Sequence, residues 1–302
     1  MAAGRMHVDE ADIDAALVRR LVDAQFPGWA DLPLEPVRSA GTDNAIFRLG
    51  GELAVRLPRT AAASGQVAKE QAWLRQLAPL LPLPIPVQVA MGMPGEAYPW
   101  RWSVCRWLPG ENAVAAPVRD LDHAASVLAD FIAALQAVDA AGGPAPGRHN
   151  SGRGVPLAER DSMVRSAIAK LEGLVDVAAV TQEWEAALAA RAWTRPGVWL
   201  HGDIHPGNLL TVDGRISAVI DFGCLGVGDP ACEMIAAWMV LSGPSRRIFR
   251  RALALDDATW ARRRGWALSM AVVALPYYLH TNPVLVGLAR RAIAELLAES
   301  GA

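Results

Sequence analysis

The hydrophobic pattern of this 302-residue chain changes character near residue 109, and this change constrains the fold more than any other feature of the sequence. Over 36–58 and 97–108, short apolar segments separated by Gly, Asn and Pro predict the strands of antiparallel hairpins. Beyond 109, apolar residues recur mostly at helical spacing. We therefore predict an α+β fold with a small antiparallel sheet lobe over 1–108 and a larger, mainly helical lobe over 109–302.

Local patterns give the approximate positions of the elements. The first amphipathic helix is predicted to begin near Asp9 or Asp12, and either residue can act as its N-cap. The segment 141–155 is rich in Gly and Pro and is long enough to act as a mobile flap. The predicted strands cover 37–40, 45–49, 53–57, 97–98 and 102–108, and the predicted helices cover 9–25, 63–80, 121–138, 157–174 and 181–192.

Composition and charge narrow the classes of partner. The formal net charge is -2 and no block of Lys and Arg is present, so we expect neither a nucleic acid nor an anionic membrane surface as partner. The three cysteines form no paired Cys-x-x-Cys pattern, and the longest apolar run is interrupted by Pro276. We expect a cytoplasmic protein, monomeric or weakly dimeric, that binds a small molecule and does not enter a membrane.

One β-rich island among the predicted helices carries a set of oxygen-bearing side chains. The segment HGDIHPGN runs from His201 to Asn208, and IDFG follows a predicted hairpin turn and ends at Gly223. Phosphoryl transfer needs a group that accepts the proton of the substrate hydroxyl, and it needs oxygen ligands for Mg²⁺. Asp203, Asn208 and Asp221 can supply these groups if the hairpin brings the two segments together.

The order and spacing of these segments resemble the catalytic loop and the metal-binding motif of kinases, and HGDIHPGN is similar to the aminoglycoside phosphotransferase family. The similarity extends over about 34–238 and implies a protein-kinase-like two-lobe fold. It implies Asp203 as the catalytic base and Asn208 and Asp221 as Mg²⁺ ligands. It also implies His201 as a structural histidine that bonds nearby backbone. His205 either contacts a ligand or bonds local carbonyl groups.

The resemblance also implies a nucleotide site in the first lobe, with ATP or GTP as the phosphoryl donor. A turn that contains Gly41, Thr42 and Asn44 would cover the phosphates. Arg56 stands where the family has a strand lysine, and its permanent charge can still meet the phosphates. Glu70, on the following helix, is the acidic partner expected to orient Arg56.

Two further parts of the site follow from the same resemblance. Cys105 aligns with the inner end of the segment that joins the lobes, and the backbone from Arg106 to Leu108 would meet the edge of the purine. Acidic side chains of the helical lobe would suit a cationic aminosugar, although each can equally cap a helix or face solvent. These candidates are Glu159, Asp161, Asp229, Glu233 and Glu295.

Other functions stay open on the sequence alone. The favoured acceptor is an aminoglycoside-like antibiotic, and the alternative is a macrolide or a metabolite such as an amino alcohol. A catalytically silent, nucleotide-binding pseudokinase is a second alternative, which only Arg56 supports. A third is a hydrolase with zinc bound by His201, Asp203 and His205, but it leaves Asn208 and the IDFG segment without a role.

Overall fold

A computed structural model describes residues 10–37 and 43–300. The chain divides into two compact units, Met1–Pro79 with Pro84–Pro109, and Leu80–Leu83 with Gly110–Ala302. An antiparallel sheet dominates the first unit and helices dominate the second, so the predicted α+β fold is confirmed. No helix in the described part of the chain is long and apolar enough to cross a membrane.

The first unit is built on a five-stranded antiparallel sheet. Its strands are β1 (Leu34–Pro36), β2 (Asn44–Leu49), β3 (Leu53–Pro58), β4 (Gln88–Gly92) and β5 (Trp102–Arg106), and its helices are α1 (Ala15–Gln25) and α2 (Ala61–Leu77). The strand order is β1-β2-β3-β5-β4. Apolar side chains of α1, such as Leu21, form one buried cluster with strand residues such as Phe47 and Val104. This cluster is the hydrophobic core of the first unit.

The start of α1 differs from the prediction. The N-cap is Asp14, whose Oδ1 accepts a hydrogen bond from the backbone nitrogen of Leu17 at 2.7 Å. The predicted cap Asp12 precedes the helix, and Asp9 lies outside the described residues. The helix is therefore shorter than its apolar periodicity suggests, because the cap decides where the first turn begins.

Two strands also differ from the prediction. The segment 97–98 makes only a single bridge, between Gly95 and Tyr98, and β4 lies instead at Gln88–Gly92. This strand begins just after a series of prolines. Because proline has no N–H to donate to a neighbouring strand, its presence argues against a strand, and the sequence pattern does not predict one here. The strand predicted at 37–40 is β1 at Leu34–Pro36, and residues 38–40 lie outside the described part of the chain.

The second unit is mainly helical and contains two small sheets. Its helices are α3 (Leu121–Ala137), α4 (Asp161–Ile168), α5 (Val177–Ala189), α6 (Ala236–Met239), α7 (Gly243–Ala252), α8 (Asp257–Tyr278) and α9 (Pro283–Ser300), and its strands are β6 (Glu111–Asn112), β7 (Val198–Leu200), β8 (Leu209–Val212), β9 (Arg215–Val219) and β10 (Gly226–Gly228). Strand β7 pairs with β10, and the other sheet has the order β6-β8-β9. Four fully buried tryptophans lie in the core of this unit: Trp184, Trp199, Trp238 and Trp266.

The segment 141–155 is anchored to strand β10. The backbone nitrogen of Val227 donates to the oxygen of Pro144 at 2.8 Å, and that of Asp229 donates to the oxygen of Gly154 at 2.9 Å. Because the segment bonds β10 at one point and the residue just after β10 at another, we expect it to keep its position and not to act as the mobile flap that its composition suggests. The helix predicted over 157–174 is also shorter, since only α4 is α-helical there.

Candidate active site

The segment between β7 and β8 forms a tight loop that its own side chains stabilise. Asn208 ends the short turn Pro206–Asn208, and its Nδ2 donates to the backbone oxygen (2.9 Å) and to Oδ2 (3.2 Å) of Asp203. His205 caps this turn, because its Nδ1 accepts from the backbone nitrogen of Gly207 at 3.0 Å. Asp203 and Asn208 are therefore in direct contact, as the spacing of the motif predicts.

Asp221 is connected to this loop through the backbone of the hairpin formed by β8 and β9. The nitrogen of Ile220 donates to the oxygen of Asn208 at 2.9 Å and continues the ladder beyond the last residues of the strands. Asp221 then adopts a left-handed backbone conformation with φ of 63°, and its Oδ1 accepts from the backbone nitrogen of Gly223 at 3.2 Å. This conformation is uncommon for a residue with a side chain and is concentrated at functional sites.

The ring of His201 connects the two segments through hydrogen bonds to the backbone of each. Its Nε2 lies 2.9 Å from the carbonyl oxygen of Ile220, and its Nδ1 lies 3.2 Å from the backbone nitrogen of Asp203. Because a backbone N–H must donate to Nδ1, the ring carries its proton on Nε2. Burial lowers the pKa of His201 to about 4, so the ring is neutral at physiological pH. Both ring nitrogens are thus occupied by backbone, as expected of a structural histidine.

The carboxylate of Asp203 lies between basic groups on both sides. Oδ1 is 3.6 Å from Nη2 of Arg153, and Oδ2 is 3.5 Å from Nε2 of His205. Burial opposes ionisation of Asp203, but the contact with His205 and the charge of Arg153 outweigh it and hold the pKa of the carboxyl below its usual value. Asp203 is therefore ionised at neutral pH, and its side chain is still 28% exposed.

Glu233 supports the same loop from the interior of the unit. Its carboxylate accepts from the backbone nitrogens of His201 (2.5 Å) and Gly202 (3.0 Å), and the residue is buried. Burial raises the pKa of Glu233 to about 7, an effect larger than the opposite effect of those two hydrogen bonds. The sequence leaves Glu233 open between acceptor binding and a structural role, and its geometry fits the structural role, because the carboxylate is turned to the backbone of the loop.

Three other acidic candidates have partners within the protein. Asp229 caps the turn that follows it and is paired with Arg262 at 3.1 Å, which agrees with the alternative interpretation of this residue as an N-cap. Asp161 accepts from Nε1 of Trp184 at 2.8 Å and from Arg165 at the same distance. Glu295 pairs with Arg246, also at 2.8 Å.

Glu159 is the candidate that faces an open space. It is exposed, and among the described residues no side-chain hydrogen bond or ion pair involves its carboxylate. It lines a cavity of about 570 Å³ in the second unit, together with the paired Asp229 and Arg262 and with Trp193. The rest of the lining consists mostly of small or apolar residues. This volume is within the range of small-molecule sites in proteins.

In the first unit, Arg56 and Glu70 form the predicted pair. Nη1 and Nη2 of Arg56 in β3 lie 2.6 Å and 3.2 Å from the two carboxylate oxygens of Glu70 in α2, and both residues are buried. Cys105 lies nearby in β5, and burial raises the pKa of its thiol more than the charge of Arg56 lowers it. Arg56 is thus held in one orientation by a two-pronged contact.

The remaining nucleotide-side residues are only partly described. The backbone nitrogen of Arg106 already donates to the oxygen of Val87 at 3.1 Å, and Leu108 is the residue of the joining segment whose N–H has no partner among the described residues. Asn44 begins β2 and pairs with Pro58. Gly41 and Thr42, which belong to the predicted phosphate-binding turn, lie outside the described residues.

The donors of the loop suit Mg²⁺ better than zinc. The Nδ2 of Asn208 is turned to Asp203, which leaves its amide oxygen for a hard cation, and Asp221 adds a carboxylate. By contrast, the zinc alternative needs a ring nitrogen of His201, and both are bonded to backbone. The described residues also include no group of three or more His, Cys, Asp or Glu side chains that could hold a metal.

No sequence pattern points to Arg153, and the sequence leaves the role of Glu233 open. Arg153 lies 50 positions before Asp203 in a segment without periodicity, so no spacing links the two residues. The Asp-Pro pair at 229–230 predicts that a helical turn begins there, but it does not tell which way the carboxylate of Glu233 faces.

Comparisons with known proteins identify the family of the chain. The sequence profile of the phosphotransferase enzyme family (APH) matches residues 35–266, more than half of the chain. No curated protein matches the chain. The GDP complex of wild-type aminoglycoside 2'-phosphotransferase-IIIa has a similar structure, with a TM-score of 0.75, 19% identity, and coverage of 95% of this chain and 100% of that chain.

Two further solved structures extend the comparison. The complex of the same type of enzyme with GDP and kanamycin has a TM-score of 0.73 and 19% identity, with coverage of 93% of this chain and 98% of that chain. The macrolide 2'-phosphotransferase of Brachybacterium faecium has a TM-score of 0.61 and 24% identity, with coverage of 92% and 98%. The chain therefore belongs to the phosphotransferase enzyme family and is a small-molecule kinase with a protein-kinase-like fold.

Proposed function

We propose that the protein transfers the γ-phosphoryl group of ATP or GTP, in complex with Mg²⁺, to a hydroxyl group of an aminoglycoside-like antibiotic. The observation that carries this proposal is the contact of Asp203 with Asn208 at 3.2 Å. The backbone oxygen of Asn208 also accepts a hydrogen bond from the nitrogen of Ile220, the residue directly before Asp221. This arrangement provides a base for a hydroxyl and two oxygen ligands for a cation, which are the groups that phosphoryl transfer needs.

In the proposed reaction Asp203 orients the acceptor hydroxyl and receives its proton as the bond to phosphorus forms. A carboxylate with a lowered pKa holds a proton weakly, so its main contribution is orientation, with proton acceptance late in the reaction. Asn208 and Asp221 would hold Mg²⁺. When bound, the metal neutralises charge on the β- and γ-phosphates.

We assign nucleotide binding to residues 1–108 and catalysis with acceptor binding to residues 109–302. The buried, oriented guanidinium of Arg56 supports contact with the α- and β-phosphates, and the N–H of Leu108 supports contact with the base. Gly41, Thr42 and Asn44 would cover the phosphates. We also propose that the protein works in the cytoplasm as a monomer or weak dimer, which agrees with its three free cysteines.

Glu159 is the acidic residue that we assign to the acceptor. Its carboxylate has no partner among the described residues and lies at the cavity. Because Asp203 does not line this cavity, Glu159 would attract an amino group of the substrate away from the reacting hydroxyl. A macrolide is the second candidate acceptor, because the cavity lining is largely apolar and one structural neighbour is a macrolide phosphotransferase. An amino alcohol or another metabolite is a third candidate acceptor. A catalytically silent pseudokinase is the remaining alternative, and only the arginine at position 56 supports it.

A screen of acceptors with ATP and GTP in parallel tests the proposal. Purified protein is incubated with aminoglycosides, macrolides and amino alcohols, and both nucleotide consumption and phosphorylated product are measured. We expect product with at least one aminoglycoside, and product formation slower by about 10² to 10⁴ with the Asp203→Asn variant. Nucleotide binding without transfer to any acceptor would support the pseudokinase alternative, and hydrolysis that needs zinc and no nucleotide would contradict the proposal.

A further inference from the structure

Arg153 reaches the base of the proposed reaction from outside the catalytic loop. Its Nε donates to the backbone oxygen of Gly202 at 2.9 Å, and its Nη2 lies 3.6 Å from Oδ1 of Asp203. The side chain is 15% exposed, so most of it is shielded from solvent. One guanidinium thus contacts both the backbone that carries Asp203 and the carboxylate itself.

The position of Arg153 is fixed by its surroundings. Its backbone nitrogen donates to the oxygen of Asn150 at 3.0 Å, and the buried amide of Asn150 donates back to the oxygen of Arg153 at 3.0 Å. Its aliphatic stem runs across Gly202, where φ is 81° and a Cβ atom would lie 3.1 Å from Cβ and Cγ of Arg153. The arginine and the glycine therefore fit closely, and the guanidinium has little freedom to leave Asp203.

Contacts on both oxygens restrict rotation of the Asp203 carboxylate. Oδ2 faces Nδ2 of Asn208 at 3.2 Å and Nε2 of His205 at 3.5 Å, and Oδ1 faces Arg153. The distance of 3.6 Å to Arg153 is that of a long ion pair, not of a short hydrogen bond, so Oδ1 can still accept a hydrogen bond from a hydroxyl. Without Arg153, Oδ1 would lose the charge that faces it, while Oδ2 would keep its contacts.

We propose that Arg153 is a positioning residue for phosphoryl transfer, which holds the carboxylate of Asp203 so that Oδ1 faces the acceptor hydroxyl. This inference rests on the proposed function, since it needs Asp203 as the base. The opposing explanation is a structural role, in which Arg153 only attaches segment 141–155 to the catalytic loop through the oxygen of Gly202.

Three variants separate these explanations. Arg153→Met keeps the aliphatic stem against Gly202 and removes the charge, Arg153→Lys keeps a charge without the planar fork, and Arg148→Gln removes an exposed arginine from the same segment as a control. We expect Arg153→Met to lower kcat by about 10-fold to 100-fold, because a small misplacement of a catalytic group has effects of this size. The nucleotide KM should change by less than about twofold, and Arg153→Lys should recover part of the rate.

A double-mutant cycle with Asp203→Asn tests whether Arg153 acts through Asp203. We expect Arg153→Met to cost little further activity once the carboxylate is gone. An equal loss in both backgrounds would overturn the inference, as would an unchanged kcat. A loss of kcat in Arg153→Met that is matched by a fall in melting temperature, and is not recovered by Arg153→Lys, would show a structural role instead.

Crystal structures of the wild type and of Arg153→Met provide a readout that needs no turnover. We expect the carboxylate of Asp203 to turn away from its wild-type orientation, or to occupy two orientations, when Arg153 is removed. An unchanged orientation would contradict the inference. A wild-type protein that transfers no phosphoryl group to any acceptor would contradict the proposed function, while the crystallographic comparison would still decide whether Arg153 positions Asp203.

Discussion

The ring of His201 donates from Nε2 to the carbonyl oxygen of Ile220 across 2.9 Å, and this bond connects the loop that carries Asp203 to the residue before Asp221. His201→Phe keeps a ring of similar size but leaves the half-buried carbonyl of Ile220 without this donor. We expect a loss of about 1 to 3 kcal/mol in the free energy of unfolding, the usual cost of such an unsatisfied group. Urea unfolding measures it, and His123→Gln, at an exposed position in α3, is the control. An equal stability of both variants would show that this bond contributes little.

Asp203 and Asp221 are both aspartates near one loop, but replacing each by Asn should affect activity in a different way. Asp203→Asn removes the proposed proton acceptor and should lower kcat by about 10² to 10⁴ while nucleotide and Mg²⁺ still bind. Asp221→Asn weakens a proposed metal ligand, so more Mg²⁺ should recover some activity. Turnover over a Mg²⁺ titration compares the two variants. If Mg²⁺ rescues Asp203→Asn and not Asp221→Asn, the two roles must be exchanged.

The pair of Arg56 and Glu70 should affect both stability and nucleotide use. Arg56→Ala leaves the buried Glu70 carboxylate unpaired, so we expect a loss of about 3 to 5 kcal/mol, a higher nucleotide KM and a lower kcat. Arg56→Lys should keep part of the activity, because it keeps the charge. The double variant Arg56→Met with Glu70→Met should regain stability without regaining nucleotide affinity. If the double variant binds nucleotide as the wild type does, another group holds the phosphates.

Glu233 should make stability depend on pH. Burial raises its pKa from 4.5 to about 7, so between these values the folded protein holds a proton that the unfolded chain has lost. Its contribution is fully present below pH 4.5 and is lost as the pH rises through about 7. The stability of the wild type relative to Glu233→Gln should therefore fall by about 1 to 3 kcal/mol from about pH 5 to about pH 8. A rise of this difference with pH would mean that the loop favours the ionised carboxylate.

Glu299 should stabilise the C-terminal helix more than Glu295 does. Its two oxygens accept from Nε1 of Trp238 (2.8 Å) and of Trp260 (3.1 Å), and Arg264 lies 3.3 Å away. Glu299→Ala leaves both indole N–H groups without this acceptor, so we expect a loss of about 1 to 3 kcal/mol in urea unfolding. Glu295→Ala should cost less than Glu299→Ala, because Arg246 keeps Glu299 as a second partner at 3.6 Å. Equal losses would contradict this ranking.

The contact of Asp203 with Asn208 could be predicted because both residues lie in one short segment between strands, where spacing alone fixes their relation. The pair of Arg56 and Glu70 could be predicted because the resemblance to kinases implies a basic residue on a strand and an acidic partner on the next helix. Arg153 could not, since tertiary packing alone brings it to Asp203. The role of Glu233 could not be predicted either, because it depends on burial in the folded chain. The sequence around an acidic residue does not tell whether its carboxylate faces a ligand or the backbone of a loop.

The same limit applies to the elements themselves. The apolar periodicity of helix α1 extends to residues before the helix, but the N-cap at Asp14 makes the helix begin only at Ala15. Strand β4 follows prolines that conceal it, and it is found in the sheet because β5 offers it a partner edge. Propensity describes each segment by itself, whereas pairing partners and caps are properties of the folded chain.

The left-handed backbone conformation of Asp221 limits which residues this position tolerates. Only Gly, Asn and Asp adopt this conformation readily, so Glu, which keeps the charge, is disfavoured by the main chain before its chemistry is tested. Asn fits the same conformation, and its codons differ from those of Asp at a single base. If Asp221 holds Mg²⁺ as proposed, a point mutation can therefore convert this enzyme into a folded protein with a weakened metal site. Loss of function by drift would leave few traces in the architecture.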